Sequence, residues 1–249
     1  MAITLGVVEL LPPNETSAAG PMFGMARRRF AGKSLLEWVV RRMSDAEQLR
    51  QLYILTPDTE PCRTLAECAP PDVRLHFSTE GDSLSRLADF CQHHRCEGIV
   101  RLSVAQPFVD PALVDRLVIS AHGSDYAAYH GESRDLACGS PVGVFAEYFS
   151  VTGILKADRE ARDAERQDPR QFFLAHPEMF LLKFLAVPKQ LDRDDLRLLI
   201  ETEEDWEHVQ LVFDALGPEC LDWQYITNLL DRQPGIRERM AERNREAMV

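Results

Sequence analysis

Three arginines, a glycine and a lysine crowd into one short stretch: Arg27, Arg28, Arg29, Gly32 and Lys33. The 249-residue chain around them carries a formal net charge of −12. A basic cluster in so acidic a protein suits a small anionic ligand better than a polyanion, whose phosphate backbone the rest of the surface repels. The plain alternative is a solvated basic loop. Other reactive residue types are spaced less suggestively. His93 and His94 close a helical pattern and read as a solvated pair that favours the C-terminal end of the helix dipole. Asp110, just before Pro111, reads as a helix cap. The six cysteines lack metal-type spacing, with no CxxC, and read as reduced thiols of a reducing compartment. No serine or cysteine sits in a nucleophile-elbow pattern. Trp206 and Trp223 read as packing residues.

The elements that must position the basic cluster alternate along the chain. Ile3 to Glu9 is a buried strand. Leu10 to Ala31, with Pro12, Pro13, Asn14 and Pro21, is a loop longer than an ordinary connection and therefore a functional candidate. Leu35, Leu36, Val39, Val40 and Met43 repeat at helical spacing behind a Ser34 cap. Strands are predicted at Leu52–Thr56, Val73–Phe77 and Gly98–Ser103, and weaker ones at Asp125–Tyr129 and Val142–Phe145. Helical stripes lie at Leu84, Leu87, Ala88 and Cys91, and after Pro111. The charged stretch Asp158–Gln171 is predicted on a helical surface. Trp206, Val209, Phe213 and Leu216 mark a helix stopped by Gly217 and Pro218, and two more helices follow, separated near Pro234.

This order predicts an α/β fold: a mostly parallel, doubly wound sheet flanked by helices, in one domain over residues 1–249 with a helical C-terminal portion from about residue 205. Ligands of such sheets bind beyond the carboxyl ends of the strands. No apolar run has the length of a membrane span, and Ile3–Leu11 has no basic region before it, so the reading is a cytoplasmic protein without membrane or nucleic-acid partners.

Five segments in order resemble the cytidylyltransferases of spore-coat polysaccharide, CMP-sialate and CMP-ketodeoxyoctonate synthesis, which have the nucleotide-diphosphosugar transferase (Rossmann-like) fold. Arg29-Phe30-Ala31-Gly32-Lys33 is similar to their Arg-Leu-Pro-Gly-Lys loop. Gly81-Asp82-Ser83-Leu84-Ser85-Arg86 resembles Gly-x-Asp-x-Leu-x-Arg, one residue shorter. Ala105-Gln106-Pro107-Phe108-Val109-Asp110-Pro111 stands where they have Asp-Cys-Pro-Leu-Ile-Asp-Pro. Gly143 to Phe149 resembles Gly-x-x-x-Glu-Val-Phe, and Arg197 to Asp205 resembles Leu-Thr-Val-Asp-Thr-Pro-Glu-Asp.

The resemblance implies nucleotidyl transfer, with CTP and a sugar as partners, a CMP-activated sugar as product, Mg²⁺ as the ion and a homodimer by analogy. Negative charge gathers on phosphate oxygens in such a reaction, so cations and N–H groups carry the catalysis. Arg29 and Lys33 take the catalytic, phosphate-binding positions. Gly32 lets backbone approach a phosphate, and the helix behind it offers an N-terminus. Gly81, Asp82 and Gln106 complete the implied nucleotide contacts. For the metal, Glu201 stands at one family carboxylate, while Ala105 stands at the other and has no side-chain oxygen. The first loop departs as well: Glu9-Leu10-Leu11 replaces Gln-Ala-Arg, and a carboxylate there repels a triphosphate unless an arginine pairs with it. A second reading follows from these departures, a non-catalytic relative that binds a nucleotide or sugar or serves as a partner subunit.

Overall fold

The computed structural model describes residues 3–11, 24–131 and 140–247. Most of the long loop predicted after the first strand lies outside them.

The main sheet has seven strands: β1 (Thr4–Glu9), β4 (Gln51–Pro57), β5 (Arg74–Ser78), β6 (Gly98–Ser103), β7 (Tyr126–His130), β8 (Glu147–Ser150) and β9 (Leu182–Ala186). Their order is β5-β4-β1-β6-β8-β7-β9, and only β8 runs against its neighbours. Every residue of β1 is buried, as the unbroken aliphatic run requires of a strand covered on both faces. The chain leaves β1 towards β4 and β5, then returns to pair β6 on the other side of β1. The sheet therefore reverses its strand order between β1 and β6, where Glu9 lies opposite Ser103; ligands of such sheets bind outside this point. The mostly parallel, helix-flanked sheet expected from the sequence is the architecture found.

One layer of helices holds α1 (Leu35–Ser44), α4 (Pro111–Ser120) and α7 (Glu203–Leu216); their apolar residues share one core cluster with Val8, Leu10 and Val100. The other holds α3 (Ser83–His93), α5 (Val151–Glu160) and α6 (Pro169–Ala175) against Leu5, Val7 and Ile99. A short helix, α2 (Glu60–Ala66), joins β4 to β5, and α8 (Trp223–Asp231) and α9 (Pro234–Glu246) close the chain on either side of Pro234. Among the described residues no helix is long and apolar enough to cross a membrane.

Three local expectations need correction. Val142–Phe145 is not a strand; β8 begins at Glu147. Gly143 has φ +70, and a Cβ there would come within 2.7 Å of the Leu199 nitrogen, so this backbone is pressed against residues 198–199 and not into a ladder. Asp158–Gln171 is not one helical surface: α5 stops at Glu160, a single 3-10 turn covers Asp163–Glu165, and Pro169 starts α6. Edge strand β9 was not foreseen, because its Leu-Lys-Phe-Leu-Ala pattern is half-exposed and follows a run of apolar residues without a turn signal.

Candidate active site

The basic cluster folds as a miniature hairpin. β2 (Arg29–Phe30) and β3 (Lys33–Ser34) pair antiparallel around Ala31 and Gly32, with φ +46 and +82. Two successive positive φ values make the tight turn whose twist matches a hairpin, and Gly32 supplies one of them without strain. Phe30 faces inward; its ring stacks on Trp38 and meets Trp206 and Phe213 edge-on at 5.3 and 4.4 Å. Trp206 is thus a packing residue, 2% exposed.

The two cations are left outside. The Arg29 guanidinium donates to the Gly32 carbonyl at 2.5 Å, and Lys33 Nζ rests 4.4 Å from the Trp38 ring centroid. Among the described residues neither has a carboxylate partner. Arg28 differs: it lies over Trp206 and bonds Glu203 at 2.5 Å, so it fastens the hairpin to α7. One expectation fails here. The start of α1 is not open to an anion, because Leu35 N–H donates to the Arg28 carbonyl, Leu36 N–H to the Ala26 carbonyl and Glu37 N–H to the Ser34 hydroxyl. Residues 24–28 fold back over the helix and consume the donors that a phosphate would have used.

The stretch resembling the second carboxylate motif lands beside the first. Ile200 N–H donates to the Ala105 carbonyl at 2.9 Å, which sets Glu201 next to Ala105. A buried clamp fixes this contact: Arg197 grips Asp205 at 2.6 and 3.1 Å and donates to Glu201 at 2.8 Å. Asp205 also accepts the N–H groups of Glu201 and Thr202 at 2.9 Å each, capping α7. From the far end of the chain, Asn244 donates to the carbonyls of Asp194 and Leu196. The hairpin, Ala105 and Glu201 therefore share one edge, joined through the first turn of α7.

Beyond the carboxyl ends of β1, β4 and β5 lies a cavity of about 510 Å³, lined by Leu11, Pro57, Ser78, Gly81 and Arg86 among others. A larger one, about 790 Å³, opens at the opposite strand ends near Thr4, Glu97 and Tyr148, away from the edge where parallel sheets bind ligands. Arg86 is 6% exposed, and its Nε has no hydrogen-bond partner among the described residues. Its Nη1 donates to the Glu80 carbonyl at 3.3 Å. Burial pushes its pKa down from the usual arginine value, yet a guanidinium keeps its charge at neutral pH. An orphaned buried donor costs about 1–3 kcal/mol until an acceptor meets it.

Glu9, the acidic departure at the end of β1, is paired. Arg101 reaches it at 3.2 Å and Ser83 donates to it at 3.1 Å. Arg101 also bonds Glu147, which accepts the Tyr126 hydroxyl at 2.8 Å. Burial alone would lower the Arg101 pKa; Glu147 and Glu9 outweigh it and hold the group charged.

Of the residues singled out in the sequence, Arg29, Gly32 and Lys33 form the hairpin tip, Gly81 borders the cavity and Glu201 sits beside Ala105. Two are committed to the fold. Asp82 caps α3 through Ser85 N–H and bonds Arg166 at 3.2 Å. Gln106 is bonded at both ends of its amide, accepting from Ser103 N–H and donating to the Phe145 carbonyl. Asp110 is the cap it was expected to be, accepting from Leu113 N–H. Arg86 and Arg197 went unassigned in the sequence, although each belongs to a segment that resembles the family; what distinguishes them is burial.

Known proteins resemble this chain in sequence and in fold. The profile of the MobA-like NTP transferase domain matches residues 26–178. The spore coat polysaccharide biosynthesis protein SpsF of Bacillus subtilis (strain 168) is 27% identical over 223 residues, covering 85% of this chain and 89% of SpsF. A cytidylyltransferase from Leptospira borgpetersenii superposes with a TM-score of 0.79 at 18% identity, covering 95% of this chain and 97% of its own. CMP:2-keto-3-deoxy-manno-octonic acid synthetase, solved with CTP, gives 0.62 at 11% identity, covering 86% and 99%.

Asp205 gives the edge a pH signature. Burial would raise its pKa, but the Arg197 bonds and the Glu201 N–H hold it below the ordinary aspartate value. A carboxyl with a depressed folded pKa contributes stability above its unfolded value, near 3.9, and loses it as pH falls through the folded value. Asp205→Asn is expected to cost about 3–5 kcal/mol at neutral pH, by stranding buried Arg197. It should also flatten the acid-side loss of stability below about pH 4. Urea denaturation across that range measures both.

Proposed function

The chain belongs to the MobA-like NTP transferase domain family, and on that premise we propose that it transfers a cytidylyl group from CTP to a sugar, releasing pyrophosphate and forming a CMP-activated sugar. The observation that carries the reading is the pair of cations, Arg29 and Lys33, held without carboxylate partners on the same edge as Glu201. SpsF and the Leptospira cytidylyltransferase support the choice of sugar and nucleotide.

In this reading Lys33 swings from the Trp38 face to the triphosphate, and Arg29 leaves the Gly32 carbonyl to join it. The two neutralise charge that builds on phosphate oxygens as the sugar hydroxyl attacks the α-phosphorus and the bond to pyrophosphate breaks. Fixed side-chain cations are worth more here than solvated ones, because they need no reorganisation at the moment of reaction. Arg86 donates from the wall of the 510 Å³ cavity to an acceptor of the nucleotide. Arg101 offsets part of the Glu9 charge that would otherwise repel the triphosphate.

A divalent cation fits this edge in one form. Mg²⁺ takes one or two protein carboxylates and completes its shell with phosphates and water. Glu201, with its side chain 44% exposed, offers one carboxylate, and Ala105 offers none. Glu201 would hold Mg²⁺ that arrives with the triphosphate, where the ion supplies further charge neutralisation; a site formed before nucleotide binds is not supported. The same pair of residues favours the second reading, a non-catalytic relative, since Ala105 brings no carboxylate and Glu201 is already engaged by Arg197, which it shares with Asp205.

Incubation with each nucleoside triphosphate, Mg²⁺ and a panel of acidic and amino sugars, followed by pyrophosphate release, tests the proposal; CTP is expected to be the productive nucleotide. Nucleotide binding without pyrophosphate from any combination selects the non-catalytic reading. Lys33→Ala is expected to weaken triphosphate binding by about 1.5–3 kcal/mol, the scale of a charged hydrogen bond, and unchanged affinity in calorimetry removes its role. Arg86→Met should weaken the same binding about tenfold or more. Ala105→Asp, by adding a second carboxylate beside Glu201, should tighten Mg²⁺ binding and raise turnover; a variant no better than the parent would mean that Glu201 suffices.

A further inference from the structure

Away from this edge, on the outer strand of the sheet, three histidines and an aspartate meet. His76 comes from β5, Asp89 and His93 stand one turn apart near the end of α3, and His94 follows as its cap. His76 Nε2 lies 3.0 Å from Asp89 Oδ2, and His93 Nδ1 lies 3.0 Å from Asp89 Oδ1. One ligand atom from each of these three residues falls within 4.8 Å of the other two. The nucleotide reaction has no use for them, and the paired histidines, read from sequence, gave only a solvated helix end.

We propose that His76, Asp89 and His93 bind a divalent transition metal of the Zn²⁺ class. Two imidazoles and a carboxylate are ligands that suit Zn²⁺, Co²⁺ or Ni²⁺ and disfavour Mg²⁺, which takes oxygen donors, so the site is chemically distinct from Glu201. The spacing is close to what such an ion needs. Ligands about 2.0–2.1 Å from a tetrahedral centre stand roughly 3.3–3.4 Å apart; the 3.0 Å contacts use the two different oxygens of Asp89, and with one atom from each residue the set lies within 4.8 Å, so an ion draws the two rings together on the carboxylate and takes His93 Nδ1 from the Asp89 carbonyl, 2.9 Å away.

Hydrogen bonding around His76 accommodates the tautomer that a metal ligand needs. Its Nδ1 lies 3.0 Å from His94 Nε2. When Nδ1–H donates to His94, the neutral His76 ring turns the Nε2 lone pair towards the Asp89 carboxylate, acceptor against acceptor. A proton or a metal ion must then lie between them. A ligating histidine ordinarily donates its other ring N–H to a carboxylate, carbonyl or water, which fixes its tautomer; here the His94 ring takes that place. Exposure grades across the cluster: the His76 and Asp89 side chains are 11% and 22% exposed, while His93 is 65% exposed. That leaves one side open for ion entry and for a water as fourth ligand. Bound metal would tie the last turn of α3 to the edge strand.

Calorimetry of the untagged, full-length, metal-free protein with Zn²⁺ at neutral pH, without nucleotide, tests the site, together with the visible spectrum of the protein titrated with Co²⁺. One Zn²⁺ per chain at micromolar affinity or tighter is expected, with the intense d–d bands of four- or five-coordinate Co²⁺. His93→Gln alters an exposed side chain and leaves the fold intact; it should weaken Zn²⁺ binding about 10–100-fold and bleach the Co²⁺ bands. His122→Gln, at an exposed histidine elsewhere, should change neither. No stoichiometric binding, or binding that His93→Gln leaves untouched, overturns the proposal and leaves His76 as a hydrogen-bond donor to Asp89. Pyrophosphate release plays no part in this readout, so the site stands or falls apart from the nucleotidyl-transfer reading.

Discussion

The Arg197–Asp205 ion pair, 3% and 0% exposed at its side chains, is the contact on which the active edge depends. Two charges taken this far from water are stabilising only if nearly every donor and acceptor is matched, and here Asp205 takes two guanidinium bonds and two backbone N–H groups. The result is a fixed turn that sets Ile200 on the Ala105 carbonyl and Leu198 and Leu199 on that of Pro141, starts α7 and orients Glu201. Because α7 also carries Glu203, Trp206 and Phe213, the turn governs where the cationic hairpin docks. Asn244 extends the same dependence to the C-terminal helix, which touches no part of the crevice yet holds residues 194–196 in place.

A second buried guanidinium handles a problem of charge. An acidic chain that handles triphosphates must keep carboxylates from repelling them, and Glu9 stands at the end of the central strand, in the crevice. Arg101, one strand away, pairs with both Glu9 and Glu147 and is in turn held by them. One guanidinium shared between two carboxylates offsets only part of their charge, whereas the cations Arg29 and Lys33 have no carboxylate partner among the described residues.

The departures from the family pattern also have a common logic. At the two positions where the resemblance implies carboxylates, this chain has Ala105 and a Glu201 already bonded by Arg197. The arginine supplies permanently what a metal supplies transiently, positive charge beside the carboxylate. The cost is that a guanidinium in a salt bridge cannot migrate to the phosphates. In the proposed reaction the charge falls instead to the hairpin cations and to Arg86, which lines the cavity and whose buried Nε has no hydrogen-bond partner among the described residues.

What the sequence determined by itself was the order of elements and the place of the ligand edge. Unbroken aliphatic runs such as Thr4–Glu9 and Gly98–Ser103 have one way to be buried, inside a parallel sheet, and helical stripes behind Ser34 and Pro111 fix the crossovers between them; these are local signals, and local signals survive in a linear string. The family segments at Arg29–Lys33 and Arg197–Asp205 likewise marked the residues that meet. Only the tertiary structure decided how each polar group is spent. Gln106, Asp82 and the first turn of α1 have the right chemistry for a nucleotide, but partners brought from elsewhere in the chain, Phe145, Arg166 and Ala26, consume it. Arg86 and the His76–Asp89–His93 cluster gained their character by the reverse process, a donor left without a partner and three ligands from two separate elements brought within 4.8 Å. A side chain's residue type is written in the sequence, whereas the satisfaction of its hydrogen bonds depends on contacts between distant segments, which exist only once the sheet has closed.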